Sequence, residues 1–139
     1  MSRSGGEAVA LALAAHGVEL AWGIPGTHNL ELYAHLSAAG IRHVLPRHEQ
    51  GGAYAADGYA RACGRVGVCI TTSGPAVLNA ATGLGQAYSD SVPVLLVSAG
   101  MPLRHPARGN GFLHETRDLT AAIEGVTGAS HRVGVATTW

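Results

Sequence analysis

Residues 66–98, VGVCITTSGPAVLNAATGLGQAYSDSVPVLLVS, begin and end with apolar runs that suit buried strands. Between the two runs, Pro75 stands at the start of a segment with helical spacing. Proline favours the first helical positions because the N–H group that it lacks would have no partner there. This stretch therefore predicts a strand, a helix and a second strand, at residues 66–71, 73–88 and 92–98.

The same alternation of strands and helices extends upstream. Three of the four predicted strands are continuously apolar, which is typical of a parallel sheet covered on both faces. We therefore predict an α/β domain over residues 1–124, built as a doubly wound parallel sheet with helices on both faces, and an irregular tail over 125–139. The remaining predicted elements are helices at 7–16, 29–38, 48–63 and 114–125 and strands at 18–24 and 41–45.

In a sheet of this kind, ligands bind beyond the carboxyl ends of the strands. The loops at that edge comprise residues 25–28, 47–49, 72–75 and 99–111. All the candidate chemistry is therefore expected to gather at one edge of the domain.

Composition limits the functions that the chain can have. Its 139 residues suffice for one domain, and its formal net charge of zero gives no electrostatic reason to bind nucleic acid or an anionic membrane. All nine basic residues are arginines, which excludes a Schiff-base lysine and the lysine of a phosphate-binding loop. No apolar run reaches the roughly 20 residues that span a bilayer. A soluble, cytoplasmic protein is expected.

The two cysteines match no metal or redox spacing, and no metal site is predicted. Cys63 and Cys69 are expected to be buried free thiols. The eight histidines also lack the spacing of metal ligands. His28 and His114 differ from the others because their loops face the predicted edge.

Glu49 opens the predicted helix HEQGGAYAADGYARA at residues 48–62. A glutamate in the first turn commonly just offsets the helix macrodipole. The glycines and alanines that follow it favour a second interpretation, because a carboxylate among small apolar residues is poorly solvated and can hold or deliver a proton near neutral pH. Ser73 lacks the G-x-S-x-G context of a serine hydrolase, whereas the helix start after Gly74 suits an anion or a polar ring.

Three successive motifs carry a resemblance to a known family. GIPGTHNLELY, RHEQGGAYAADGYARA and GVCITTSGPAVLNAATGLGQAYSDSVPVLLVSA resemble, in order and spacing, the pyrimidine-binding domain of thiamine-diphosphate enzymes. The group that the chain resembles is the acetolactate synthase and 2-oxo acid decarboxylase family, over about residues 5–120. GNGFLHETRD is similar to members that decarboxylate 5-guanidino-2-oxopentanoate.

The resemblance implies roles for individual residues. In the family, the glutamate that matches Glu49 hydrogen-bonds the aminopyrimidine of the cofactor, which promotes loss of the thiazolium C2 proton, and the cofactor then acts on a 2-oxo acid. His114 matches a region that carries catalytic histidines in decarboxylases. The implied cofactor-binding residues are Pro25, Gly26, Glu49, Thr72, Ser73, Gly74 and Asn79, and the implied substrate-binding residues are Thr27, His28 and His114.

The sequence departs from the family at Ala76, where a glycine is usual, and at Leu78, where a threonine is usual. It also lacks the G-D-G…N motif with which the family holds diphosphate and Mg²⁺. The resemblance therefore implies a partner subunit or domain that supplies that motif, in a homo- or hetero-oligomer that shares thiamine diphosphate. The alternative is a non-catalytic interaction module that keeps the fold and the dimer surface.

Overall fold

A computed structural model describes residues 3–101 and 109–133. Within them, four parallel strands form one sheet in the order β2-β1-β3-β4. The strands are β1 (Leu20–Gly23), β2 (Arg42–Val44), β3 (Gly67–Thr71) and β4 (Val94–Ser98), and the helices are α1 (Gly5–Ala15), α2 (Leu30–Leu36), α3 (Glu49–Cys63), α4 (Pro75–Ser89) and α5 (Leu119–Glu124).

The ends of the helices follow from local chemistry. Ser4 caps α1 by accepting the Glu7 N–H at 3.1 Å, which satisfies a donor that has no partner inside the helix. Gly64 ends α3 in the left-handed conformation with φ of 65°, and Pro75 opens α4 as the sequence predicts. These signals explain why the first four predicted helices lie within about two residues of the observed ones.

Two apolar layers enclose the sheet. On one face, Val68 and Ile70 of β3 pack with residues of α1 and α2. On the other face, Cys69 packs with alanines of α3 and α4. Because successive side chains of a strand point to opposite faces, β3 is buried along its whole length. The predicted doubly wound α/β fold with helices on both faces is confirmed.

Glycines allow α3 to pack very closely against both α4 and β3. A Cβ atom at Gly83 of α4 would lie 2.6 Å from the Cβ of Ala53 in α3. A Cβ atom at Gly67 would lie 2.0 Å from the carbonyl oxygen of Ala56. Ala53 and Ala56 are fully buried. Part of the small-residue pattern after Glu49 therefore serves helix packing, while Gly51 and Gly58 stay on the outer face.

The segment after β4 differs from the prediction. A helix was expected over residues 114–125, but α5 begins only at Leu119, with Asp118 as its N-cap accepting the Ala121 N–H at 3.0 Å. The prediction was wrong for the first part because His114 has a positive φ of 60°, which no α-helix accommodates. Residues 125–133 contain neither helix nor strand, and residues 134–139 of the predicted tail lie outside the described part.

The described residues include no helix that is both long and apolar enough to cross a membrane.

Candidate functional site

The strand order places a crevice between two particular loops. From β1 the chain crosses to β2 on one side, and β3 then lies on the other side of β1. The loops that follow β1 and β3 therefore diverge at the point where ligands of doubly wound sheets bind. The predicted gathering of candidate residues at the carboxyl edge follows from this arrangement.

Glu49 is the first residue of α3, and its side chain is half-buried. Asn79, near the start of α4, donates a hydrogen bond from Nδ2 to Glu49 Oε2 at 2.9 Å. His48 caps the helix, with its Nδ1 accepting the Gln50 N–H at 3.2 Å. The cap thus comes from His48, so the Glu49 carboxylate is engaged by a side chain of a different helix.

Cys69 lies under the start of α3. Burial, and to a smaller extent the nearby negative charge of Glu49, together raise the pKa of its thiol to about 12. At neutral pH this thiol is therefore protonated and inert. Cys63, in contrast, is exposed, so the expectation that both free cysteines are buried was wrong for Cys63, which lies at the last position of α3.

His28 and Ser73 join the two loops of the crevice. His28 Nδ1 lies 2.5 Å from Ser73 Oγ, within hydrogen-bonding distance across 45 residues of sequence. Ser73 is almost fully buried, whereas the His28 ring is half-buried. Because the serine holds one ring nitrogen, the second nitrogen, Nε2, is left for another partner.

His114 completes this cluster from the segment after β4. Its ring stands edge-on to His28, with ring centroids 6.0 Å apart and planes at 85°. Its backbone packs against Gly74, where a Cβ atom would lie 2.1 Å from the His114 carbonyl oxygen. Gly74 itself has a positive φ of 61°, so both the conformation and the space at this position require glycine.

Two polar atoms of the crevice are buried without a hydrogen-bond partner among the described residues. They are His114 Nδ1 and Thr72 Oγ1. A buried polar atom of this kind is costly unless a ligand or water satisfies it. Both atoms therefore keep unused hydrogen-bonding capacity, one on the His114 ring and one on the residue that precedes Ser73.

The loop after β1 is held by Asn29, a residue that the sequence analysis missed. Its side chain accepts the Gly26 N–H at 2.7 Å and donates to the Ile24 carbonyl at 3.1 Å. An asparagine three residues after a Pro-Gly turn was the available signal, since asparagine often bonds the backbone of its own loop. Pro25 and Thr27 are exposed on this loop, and Gly26 lies close to Thr72.

The two departures from the family motif differ in position. Ala76 is 4% exposed, so it packs inside the chain, whereas Leu78 is 45% exposed beside Asn79. Of the two, only Leu78 therefore presents apolar surface to solvent.

Taken together, six of the predicted residues form two groups. One is Glu49 with Asn79, and the other is His28 with Ser73, Gly74 and His114. The start of α4 connects them, since Gly74 and Asn79 are five residues apart, or about 7.5 Å along a helix axis. Such an arrangement brings a carboxyl group and two imidazoles, side chains that can act as general acids or bases, to one edge of the sheet. In residues 3–101 and 109–133, no three His, Cys, Asp or Glu side chains are grouped to hold a metal ion.

Comparison with known proteins defines the class of this protein. Residues 3–122 match the model of the thiamine pyrophosphate enzyme, N-terminal TPP binding domain family. The chain belongs to that family, as the three sequence motifs predicted.

Three relatives show which members of the family the chain is similar to. The chain is 50% identical over 125 residues to a probable 2-ketoarginine decarboxylase of Pseudomonas aeruginosa, covering 90% of this chain and 22% of that protein. It is 53% identical over 91 residues to an acetolactate synthase of Arthrospira platensis, covering 63% and 16%. It is 46% identical over 100 residues to a probable acetolactate synthase large subunit of Methanocaldococcus jannaschii, covering 72% and 17%. The chain spans about a fifth of the length of these relatives.

Proposed function

We propose that this chain is the pyrimidine-binding half of a thiamine-diphosphate-dependent enzyme that acts on a 2-oxo acid, by decarboxylation or by acetolactate synthase-like carboligation. The observation that carries the proposal is the half-buried Glu49 carboxylate at the start of α3, oriented by the Asn79 amide. The names of the relatives, a probable 2-ketoarginine decarboxylase and two acetolactate synthases, support this class of reaction.

The surroundings of Glu49 fit an aminopyrimidine ring. Asn79 occupies Oε2, which leaves Oε1 to share a proton with a ring nitrogen. The Glu49 side chain is half-buried, so part of it stays accessible from solvent. A planar heterocycle can approach the carboxyl group from that side.

When bound, thiamine diphosphate supplies a carbon nucleophile for the substrate carbonyl and accepts the electron pair released with CO₂. The chain contributes a proton held on Glu49 against the pyrimidine nitrogen. Pro25, Gly26, Thr72, Ser73 and Gly74 line the cofactor side of the crevice in this proposal. His28, His114 and Thr27 face the substrate, where an imidazole can bind a carboxylate or transfer a proton.

A partner supplies the diphosphate site in this proposal. The partner is a subunit or domain that carries a G-D-G…N motif and holds Mg²⁺, an ion that binds phosphates through oxygen ligands. The outer face of α3 and α4 suits such a partner, because it presents Gly51, Gly58, Tyr54 and Leu78 to solvent. Exposed aromatic and aliphatic side chains beside small residues allow close and apolar contact.

The test combines the chain with a diphosphate-binding partner, thiamine diphosphate and Mg²⁺, and follows CO₂ release from a panel of 2-oxo acids that includes 5-guanidino-2-oxopentanoate. We expect Glu49→Gln to lower the rate about a hundredfold or more, because it removes a proton-transfer group. Glu31→Gln, in the first turn of α2, is the matched control and keeps full activity. Equal rates for the wild type and Glu49→Gln would refute the proposed role of Glu49.

The second candidate function is a non-catalytic interaction module. Leu78, which is exposed next to Asn79 in the sequence where the family has a threonine, favours it. This alternative would be supported by a stable complex with a partner enzyme whose activity is the same with the wild type and with Glu49→Ala. Loss of activity in the same variant would exclude it.

A further inference from the structure

The Glu115 carboxylate accepts hydrogen bonds from several backbone N–H groups of its own segment. Its Oε1 accepts the N–H of Gly109 at 2.6 Å, and its Oε2 accepts those of Asn110 at 3.0 Å and Phe112 at 3.2 Å. In return, the Glu115 N–H donates to the Phe112 carbonyl at 2.9 Å. The carboxylate thus closes a compact turn over residues 109–115.

This turn contains several residues in the left-handed region of φ. Gly109 and Gly111 have φ of 81° and 72°, which glycine adopts freely. His114 has φ of 60°, which a residue with a Cβ atom rarely adopts and which persists only when the surroundings hold it. The three hydrogen bonds from backbone N–H groups to the neighbouring Glu115 side chain stabilise this conformation of His114.

The conformation of His114 decides where its imidazole lies. With this backbone, the His114 carbonyl packs on Gly74 and the ring stands edge-on to His28. A different φ at His114 would point the side chain elsewhere. Glu115 is therefore connected to the crevice through His114.

We propose that Glu115 is a positioning residue that holds His114 in the crevice, an inference that rests on the proposed function of that crevice. Both carboxylate oxygens already accept hydrogen bonds from backbone N–H groups. Glu115 therefore stabilises the loop conformation, and the imidazoles of His28 and His114 contact the substrate. The pKa of Glu115 is consistent with this role. Burial alone raises it, but the hydrogen bonds from backbone N–H groups of the turn outweigh burial and lower it, which keeps the group ionised at neutral pH.

The first test needs neither cofactor nor partner and uses NMR on the chain alone. We expect through-hydrogen-bond couplings from the amide nitrogens of Gly109 and Asn110 to the Glu115 carboxyl carbon, and a ring-to-ring NOE between His28 and His114. Glu115→Gln should abolish the NOE while the amide resonances of β3 stay unchanged. Glu124→Gln, an exposed carboxylate on α5, is the control and should keep it.

The wild-type couplings test the geometry even if the variant fails to fold. Absence of the couplings, or an intact His28–His114 NOE in a folded Glu115→Gln chain, would overturn the inference. Because these readouts need no thiamine diphosphate, failure of the proposed function would leave them unaffected.

The second test uses a catalytically active complex. Glu115→Gln should lower kcat when His114 is present and have no further effect in a His114→Ala background, because the two residues act as one unit. Additive losses from the two substitutions would show that Glu115 acts independently of His114 and would overturn the inference.

Discussion

Asn79 of α4 donates a hydrogen bond to the Glu49 carboxylate of α3 at 2.9 Å, across 30 residues of sequence. The bond joins the starts of two helices that pack on the same face of the sheet. It also fixes which oxygen of Glu49 remains available to a ligand. A side chain of α4 thus sets the geometry of the group on which the proposed function depends.

Replacing Asn79 tests this relationship. Asn79→Leu removes a hydrogen bond to a charged group at an exposed position, which is worth about 1 kcal/mol. We expect about a fivefold loss in kcat/KM of the active complex, since 1.4 kcal/mol corresponds to tenfold. Thermal unfolding of the chain alone should show a loss of at most about 1 kcal/mol, because the same hydrogen bond is made without a ligand. A variant with unchanged kcat/KM would contradict the orienting role of the amide.

Replacing Ser73 should release His28. Ser73→Ala removes the hydroxyl that lies 2.5 Å from His28 Nδ1. Loss of a buried hydrogen bond is expected to cost about 1 kcal/mol of unfolding free energy. The ¹⁵N shifts of the His28 ring should move toward those of a freely exchanging tautomer mixture, while those of His43 stay unchanged. His43 is the internal control because its Nε2 bonds the Gly23 carbonyl elsewhere. Unchanged ¹⁵N shifts of the His28 ring would contradict the hydrogen bond between Ser73 and His28.

A pair of glycine substitutions tests the packing of α3 on α4. Gly83→Ala forces a Cβ atom to within 2.6 Å of Ala53, so we expect a destabilisation of about 1–3 kcal/mol. Gly58→Ala is the matched control in the interior of α3, where no heavy atom lies within 4 Å of the new Cβ atom. It should stabilise the chain by about 0.5–1 kcal/mol, because alanine loses less backbone entropy in a helix. Urea denaturation measures the free energy of unfolding of both variants. Equal changes in the two variants would contradict the close approach of α3 and α4.

The ion pair between Arg61 and Asp90 predicts a pH dependence. Arg61 Nη2 lies 2.6 Å from Asp90 Oδ2, and the hydrogen bonds from Arg61 and then Gln86 lower the pKa of Asp90 below its ordinary value of 3.8. A lowered folded-state pKa stabilises the protein above the unfolded-state pKa, and this stabilisation disappears as pH falls through the folded-state pKa. The wild type should therefore exceed Asp90→Asn in stability at pH 7, and the difference should vanish in strong acid.

The measurement for this prediction is urea denaturation of both chains at neutral and acidic pH. Because the pair is partly exposed, added salt should also reduce the difference at pH 7. A difference that stays constant as the pH is lowered would contradict the assignment of the stabilisation to ionised Asp90.

The sequence by itself determined the α/β class, most of the helix and strand positions and the identity of the family. These features depend on local information, namely the period of apolar residues, Pro75 at a helix start and glycines at helix ends. The same local reasoning placed Glu49 at the start of α3. It failed at residues 114–118, where helical spacing was outweighed by the backbone hydrogen bonds of Glu115 and the positive φ of His114.

Only the tertiary structure decided which candidate residues meet. The His28–Ser73 and Asn79–Glu49 contacts span 45 and 30 residues and depend on the strand order and on how closely α3 approaches α4. The inward alanines of α3 and the outward Gly51 and Gly58 follow from the same packing. Periodicity specifies which face of an element is buried, but the partner across that face is set by the packing of the whole sheet.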